Sequence, residues 1–105
     1  MPGAAEIAME TFDKIKETIS KNKTELSETF KTTSIGLFGP SARGEQKATS
    51  DIDILGEFRE AVSLLGLVRA ENYLSDILKA KVDLVPKEDM RPELRERILA
   101  EVIYL

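Results

Sequence analysis

The side chains in this chain best equipped for chemistry are three carboxylates and a glycine-bounded turn. Asp51 and Asp53 stand one residue apart in Ser50-Asp51-Ile52-Asp53-Ile54-Leu55. Asp83 sits in Lys81-Val82-Asp83-Leu84-Val85, and Gly39-Pro40-Ser41-Ala42-Arg43-Gly44-Glu45 precedes the first pair. Alternate side chains of a β-strand leave the same face, so a strand through Asp51 and Asp53 turns both carboxylates to one side. Oxygen donors of this kind suit the hard cations Mg²⁺ and Mn²⁺. Nucleotidyl transfer builds negative charge on the attacking oxygen, the α-phosphate and the leaving pyrophosphate together, and a pair of such ions stabilises both ends of the in-line displacement. Asp83, on a neighbouring strand, would complete the ligand set. Backbone N–H groups of the Gly39–Gly44 turn suit the β- and γ-phosphates, with Ser41 as a hydroxyl donor. Arg43 would reach phosphate or pair with one of the acids. Singly, each element is ordinary: a strand-end acid, a turn, a salt-bridge partner. Their joint order and spacing carry the reading.

Composition narrows the chemistry further. The 105 residues include neither cysteine nor histidine, which excludes disulfides, thiolate zinc sites and imidazole acid–base catalysis. Catalysis must run on carboxylates, hydroxyls and cations. The net charge of −4 argues against a general grip on a nucleic-acid backbone. No apolar run approaches the roughly 20 residues of a membrane span, and the N-terminus lacks the apolar core of a secretory leader. A cytoplasmic protein of one domain, residues 1–105, is expected.

The elements that must position these residues follow from periodicity. Ala8, Phe12, Ile15 and Ile19 recur at helical spacing, with a break near Lys21. Asn22-Lys23-Thr24-Glu25 has the form of a capping box opening a short helix that carries Leu26 and Phe30. Thr32 to Phe38 reads as a strand ending at Gly39-Pro40, and Ala42 to Lys47 as a helical turn over the site. Ser50 to Phe58 alternates as a second strand. Val62, Leu65, Val68 or Arg69, Tyr73 and Ile77 suggest a helix to about residue 79, its stripe widened by Leu64, Leu67, Leu74 and Leu78. Val82 to Val85 is a short strand stopped by Pro86. Pro92 opens a last helix whose buried face would be Leu94, Ile98, Val102 and Leu105. The order is ααβ(α)βαβα, an α+β fold with a small mixed sheet flanked by helices.

Assembled, these segments resemble the minimal nucleotidyltransferases, the small branch of the DNA polymerase β-like superfamily. The resemblance runs through Ser34-Ile35-Gly36-Leu37-Phe38-Gly39, Ala42-Arg43-Gly44-Glu45, Ser50 to Leu55, Val82-Asp83-Leu84-Val85 and Arg95-Glu96-Arg97-Ile98-Leu99. The family pattern is Gly-Ser, ten residues, then Asp-x-Asp, and Gly39 and Asp51 keep that spacing. Pro40 stands at the serine position, offering neither hydroxyl nor N–H, with Ser41 next to it. The resemblance implies a polymerase β palm-like fold, two Mg²⁺ ions (or Mn²⁺) on Asp51, Asp53 and Asp83, and ATP as donor, bound through Gly39, Ser41 and Arg43. It also implies a helical HEPN-type toxin as partner, neutralised by transfer of AMP to a tyrosine hydroxyl. A second reading is a module that neutralises its partner by binding alone. Oligomeric state stays open.

Overall fold

The structure, a computed structural model, describes residues 4–39, 42 and 51–105, with side chains described from Phe12 onward. Helices α1 (Ala4–Lys21) and α2 (Lys23–Phe30) lead into strand β1 (Thr32–Phe38), followed by β2 (Ile52–Phe58) and helix α3 (Leu64–Leu78). Strand β3 (Val82–Pro86), a 3-10 turn (Lys87–Asp89), α4 (Pro92–Glu101) and a two-residue strand β4 (Ile103–Tyr104) complete the chain. The four strands form one sheet in the order β3-β2-β1-β4. β1 runs antiparallel to both β2 and β4, while β2 and β3 are parallel, joined by the α3 crossover. The expected α+β class and mixed sheet are what the chain adopts.

One sheet face holds the core. Ile35 and Leu37 of β1, Ile52 and Ile54 of β2, and Val82 and Leu84 of β3 alternate onto it. There they cluster with Ile15 and Ile19 of α1, Leu26 of α2, and Ala70 and Leu74 of α3. Leu37 and Ile54 face each other in register and are fully buried. Because alternation sends every second residue the other way, the same strands turn Phe38, Asp53 and Asp83 to the opposite face. The far end of that face is not solvated. Leu55 is buried there, and the Lys87–Asp89 turn lies against β2 through a half-buried Lys87–Glu57 ion pair of 3.0 Å.

Three local expectations need correction. Asn22 occupies the N-cap of α2 without making a side-chain cap bond. Its Nδ2 donates back to the Thr18 carbonyl at 2.7 Å, and its Oδ1 accepts from the Tyr73 hydroxyl at 3.0 Å. The residue ties the α1–α2 corner to α3 rather than capping a helix. The stripe of α3 holds only in its later turns: Leu74 is buried, with Ala70 beside it, and Leu67, Tyr73, Ile77 and Leu78 pack against the core, whereas Leu64, Leu65 and Val68 are exposed in the first turns. Ser63 starts this helix, its hydroxyl accepting from the Gly66 N–H at 3.0 Å. Lastly, α4 buries none of its residues and stops at Glu101. Val102 turns extended, and Ile103 and Tyr104 pair with Leu37 and Gly36 as β4. β-branched and aromatic residues favour strands, and the otherwise open edge of β1 supplies the hydrogen-bond partners.

Burial, then the nearby Glu25 carboxylate, hold the Tyr73 phenol above its ordinary value of 10.0. A folded-state value raised above the unfolded one contributes stability that is complete below the unfolded value and lost as pH rises through the folded one. Urea unfolding midpoints should therefore fall above pH 10 in the native chain. The fall should be shallower in Tyr73→Phe, which has no phenol to ionise; equal slopes would remove Tyr73 as the cause.

Candidate active site

The site is built where β1 ends and β2 begins. Asp53 lies on β2 opposite Phe38 of β1 on one side and Asp83 of β3 on the other. In a parallel pair, register partners share a face about 4.8 Å apart, so the Asp53 and Asp83 side chains leave the sheet side by side. Asp51 stands immediately before β2, two residues from Asp53. It is paired with Lys81 at 3.7 Å, both side chains being largely solvent-exposed. Such a pair is weak and opens without large cost. Ile52 anchors the strand start, its N–H donating to the Lys81 carbonyl at 2.9 Å.

Gly39 closes the site from the β1 side. Its φ of +68° is left-handed, and a Cβ built on it would stand 2.5 Å from the Asp53 Oδ2. Glycine is thus required twice, for the backbone turn and for the close approach of the carboxylate. Ser41, Arg43 and Pro40 lie outside the described residues, as does the expected helical turn from Ala42 to Lys47 apart from Ala42 itself. The Ala42 N–H donates to the Gly39 carbonyl at 3.1 Å.

The register thus brings Asp53 and Asp83 to one face and Gly39 against Asp53, with Asp51 standing just ahead of the strand. It does not bring the three carboxylates into one cluster: among the described residues no group of three acidic side chains is close enough to share a metal ion. Like charges on neighbouring strands repel, and Asp51 leans to Lys81 instead. The donor set is nonetheless all oxygen, anionic and one-sided, which fits a divalent hard cation.

Sequence reasoning missed Lys81, although it stands two residues before Asp83 as Asp51 does before Asp53. It also missed Glu71 and Ser75, which hold β3 from outside. The Leu84 N–H donates to Glu71 Oε2 at 2.9 Å and the Val82 N–H to Ser75 Oγ at 3.1 Å. Neither has a sequence signal beyond a polar i,i+4 pair on a helix. A cleft of about 370 Å³ lined by Gly56, Glu57, Pro86, Lys87 and Arg95 opens at the other end of β2 and β3, away from the acids.

A family model described as a nucleotidyltransferase domain matches residues 19–105, spanning all four strands. The chain belongs to the nucleotidyltransferase family. Protein adenylyltransferase MntA of Thermococcus cleftensis is 40% identical over 99 residues, covering 94% of this chain and all of that protein. A solved structure described provisionally as a minimal nucleotidyltransferase superposes with a TM-score of 0.72 at 31% identity, covering 87% of this chain and 95% of that one. A complex of a tri-AMPylated HEPN toxin of Shewanella oneidensis with its MNT antitoxin matches with a TM-score of 0.58 at 21% identity. That match covers 92% of this chain and 70% of that one, and extends the likeness of fold. Nucleotidyl transfer is thus the chemistry of this family, and no helix among the described residues is long and apolar enough to cross a membrane.

Two measurements probe the nucleotidyltransferase site as built. Gly39→Ala should destabilise the fold by about 1–2 kcal/mol through the left-handed backbone alone, and by more where Asp53 is present. A double-mutant cycle with Asp53→Ala, read by urea unfolding, should give a coupling of about 0.5–3 kcal/mol; additivity would mean that the two do not touch. Asp83→Asn should stabilise the metal-free chain by about 0.2–1 kcal/mol, since it relieves like charges directly opposite on adjoining strands. A loss of stability would show Asp83 to be a structural acceptor instead.

Proposed function

We propose that this nucleotidyltransferase is a Mg²⁺-dependent protein adenylyltransferase that transfers AMP from ATP to a tyrosine hydroxyl of a HEPN-type toxin, acting as its antitoxin. The observation carrying this reading is the register pairing of Asp53 with Asp83, with Asp51 just ahead of the same strand. Carboxylates that leave one sheet face side by side are the oxygen donors a hard divalent cation takes. Asp51, Asp53 and Asp83 would hold the ions. When bound, they neutralise charge on the triphosphate and the attacking oxygen.

The chain's own groups do the rest. The acceptor hydroxyl oxygen forms a bond to the α-phosphorus while the bond from that phosphorus to the pyrophosphate oxygen breaks. The hydroxyl proton passes to a carboxylate, since the chain has no histidine; Asp83, exposed on the edge strand, is suited to take it. Gly39 brings backbone, without a side chain, up to Asp53, leaving room for phosphate oxygens beside it. Lys81, at 3.7 Å from Asp51, supplies a cation at the rim for the departing pyrophosphate. The adenylyltransferase named among the relatives and the AMPylated toxin in the structural neighbour support donor and acceptor class.

A second reading is favoured by one specific feature. Pro40 removes the hydroxyl and N–H that the family's serine would offer, which suits a protein that blocks its partner by binding alone. The two readings part on one experiment: the chain, Mg²⁺, α-labelled ATP and a HEPN-type toxin that it neutralises are incubated together. Label should appear on a toxin tyrosine, and Asp53→Ala should lower its rate by at least about 10²-fold, the usual cost of losing one electrostatic stabiliser. Toxin neutralised without label, and equally well by Asp53→Ala, would establish the binding module instead.

A further inference from the structure

Strand β3, which carries Asp83, is the outer strand of the sheet on its side. Its backbone alternates. The Lys81 carbonyl accepts from the Ile52 N–H of β2, so the backbone groups of Lys81, Asp83 and Val85 face β2, and those of Val82 and Leu84 face outward. Val82 and Leu84 are buried, at 2% and 4% exposure, where an N–H needs a partner other than bulk water. Both partners come from α3. Ser75 Oγ takes the Val82 N–H at 3.1 Å and Glu71 Oε2 takes the Leu84 N–H at 2.9 Å. Positions 71 and 75 lie one helical turn apart on one face, matched to strand donors two residues apart.

We propose that Glu71 and Ser75 are positioning residues that fix Asp83 as a metal ligand, clamping the strand on either side of it from the outer edge. Asp83 is held between two fixed neighbours: β2, to which its own backbone is bonded, and the paired side chains of α3, which grip the residues before and after it. A slip of one residue along β3 would turn Asp83 onto the core face, and it would also leave both N–H groups without their acceptors. The ionised acceptor at Glu71 makes the stronger of the two bonds. The inference rests on the reading that Asp83 is a metal ligand.

The test uses the whole chain and Mn²⁺ alone, with the free ion followed by electron paramagnetic resonance. Amide exchange at Leu84 is followed in parallel by NMR. Glu71→Ala should weaken Mn²⁺ binding about 10-fold and speed exchange at Leu84, as loss of an outer partner does at metal sites, while Glu71→Gln, whose amide oxygen accepts the same bond, should stay within about twofold of the native chain. Ser75→Ala should weaken binding in the same sense, and it carries the test should Glu71→Ala fail to fold. If Glu71→Ala speeds exchange yet binds Mn²⁺ like the native chain, the bond serves the fold alone and the proposal fails. It fails too if Glu71→Gln falls as far as Glu71→Ala, because charge rather than the bond would then be responsible. Asp83→Ala is the separate control: native-like Mn²⁺ binding there would sink the ligand reading of Asp83 itself, whatever Glu71 does.

Discussion

Everything specific about this molecule depends on the parallel pairing of β2 with β3. That pairing sets Ile52 against Val82, Asp53 against Asp83 and Ile54 against Leu84. Hydrophobic partners go to one face and like charges to the other. The apolar pairs fix the register, because a shift by one residue would bury an aspartate and expose isoleucine. Core packing thereby holds the two acids side by side.

The division of labour within each strand follows. The residues that fill the helix-covered core are interleaved with those that build the site, so neither set can be displaced without the other. Gly39 shows how tight the junction is, since the backbone turns left-handed at the point where it meets the Asp53 carboxylate. The crossover helix α3 returns β3 to the other flank of β2. Side chains of that same helix, Glu71 and Ser75, satisfy the outward N–H groups of β3, so the element that connects the two acidic strands also covers the edge of the second.

Much of this was legible in the residues. The strand through Asp53, which starts at Ile52 rather than Ser50, the short strand around Asp83 and the glycine after Phe38 all announce themselves by alternation and by residue type. Helix α1 was equally plain, because Phe12, Ile15 and Ile19 recur on one face and both isoleucines prove buried. What misled was context. The stripe read for α3 holds from Leu67 onward, but Leu64, Leu65 and Val68 extended it into first turns that stay exposed. Asn22 had the chemistry of a cap, but a tyrosine 51 residues away competes for its amide. The register of β2 with β3 was beyond reach, as no local pattern dictates how two strands separated by a helix align, and the clamp on β3 could not be seen before that register was known.

Strand β4 has a consequence for how the chain reaches this state. β1 is the first strand made, but its outer edge is completed by residues 103 and 104, with the Leu105 N–H donating to the Ile35 carbonyl at 2.9 Å. Val102 tucks over Gly36, where any larger residue would collide with it. Contacts so distant in sequence form late, after the entropy of closing a long loop has been lost. β1 therefore keeps one flank unpaired until residues 103–105 reach it. That interval, rather than the finished fold, is when the chain is most open to pairing with the wrong strand.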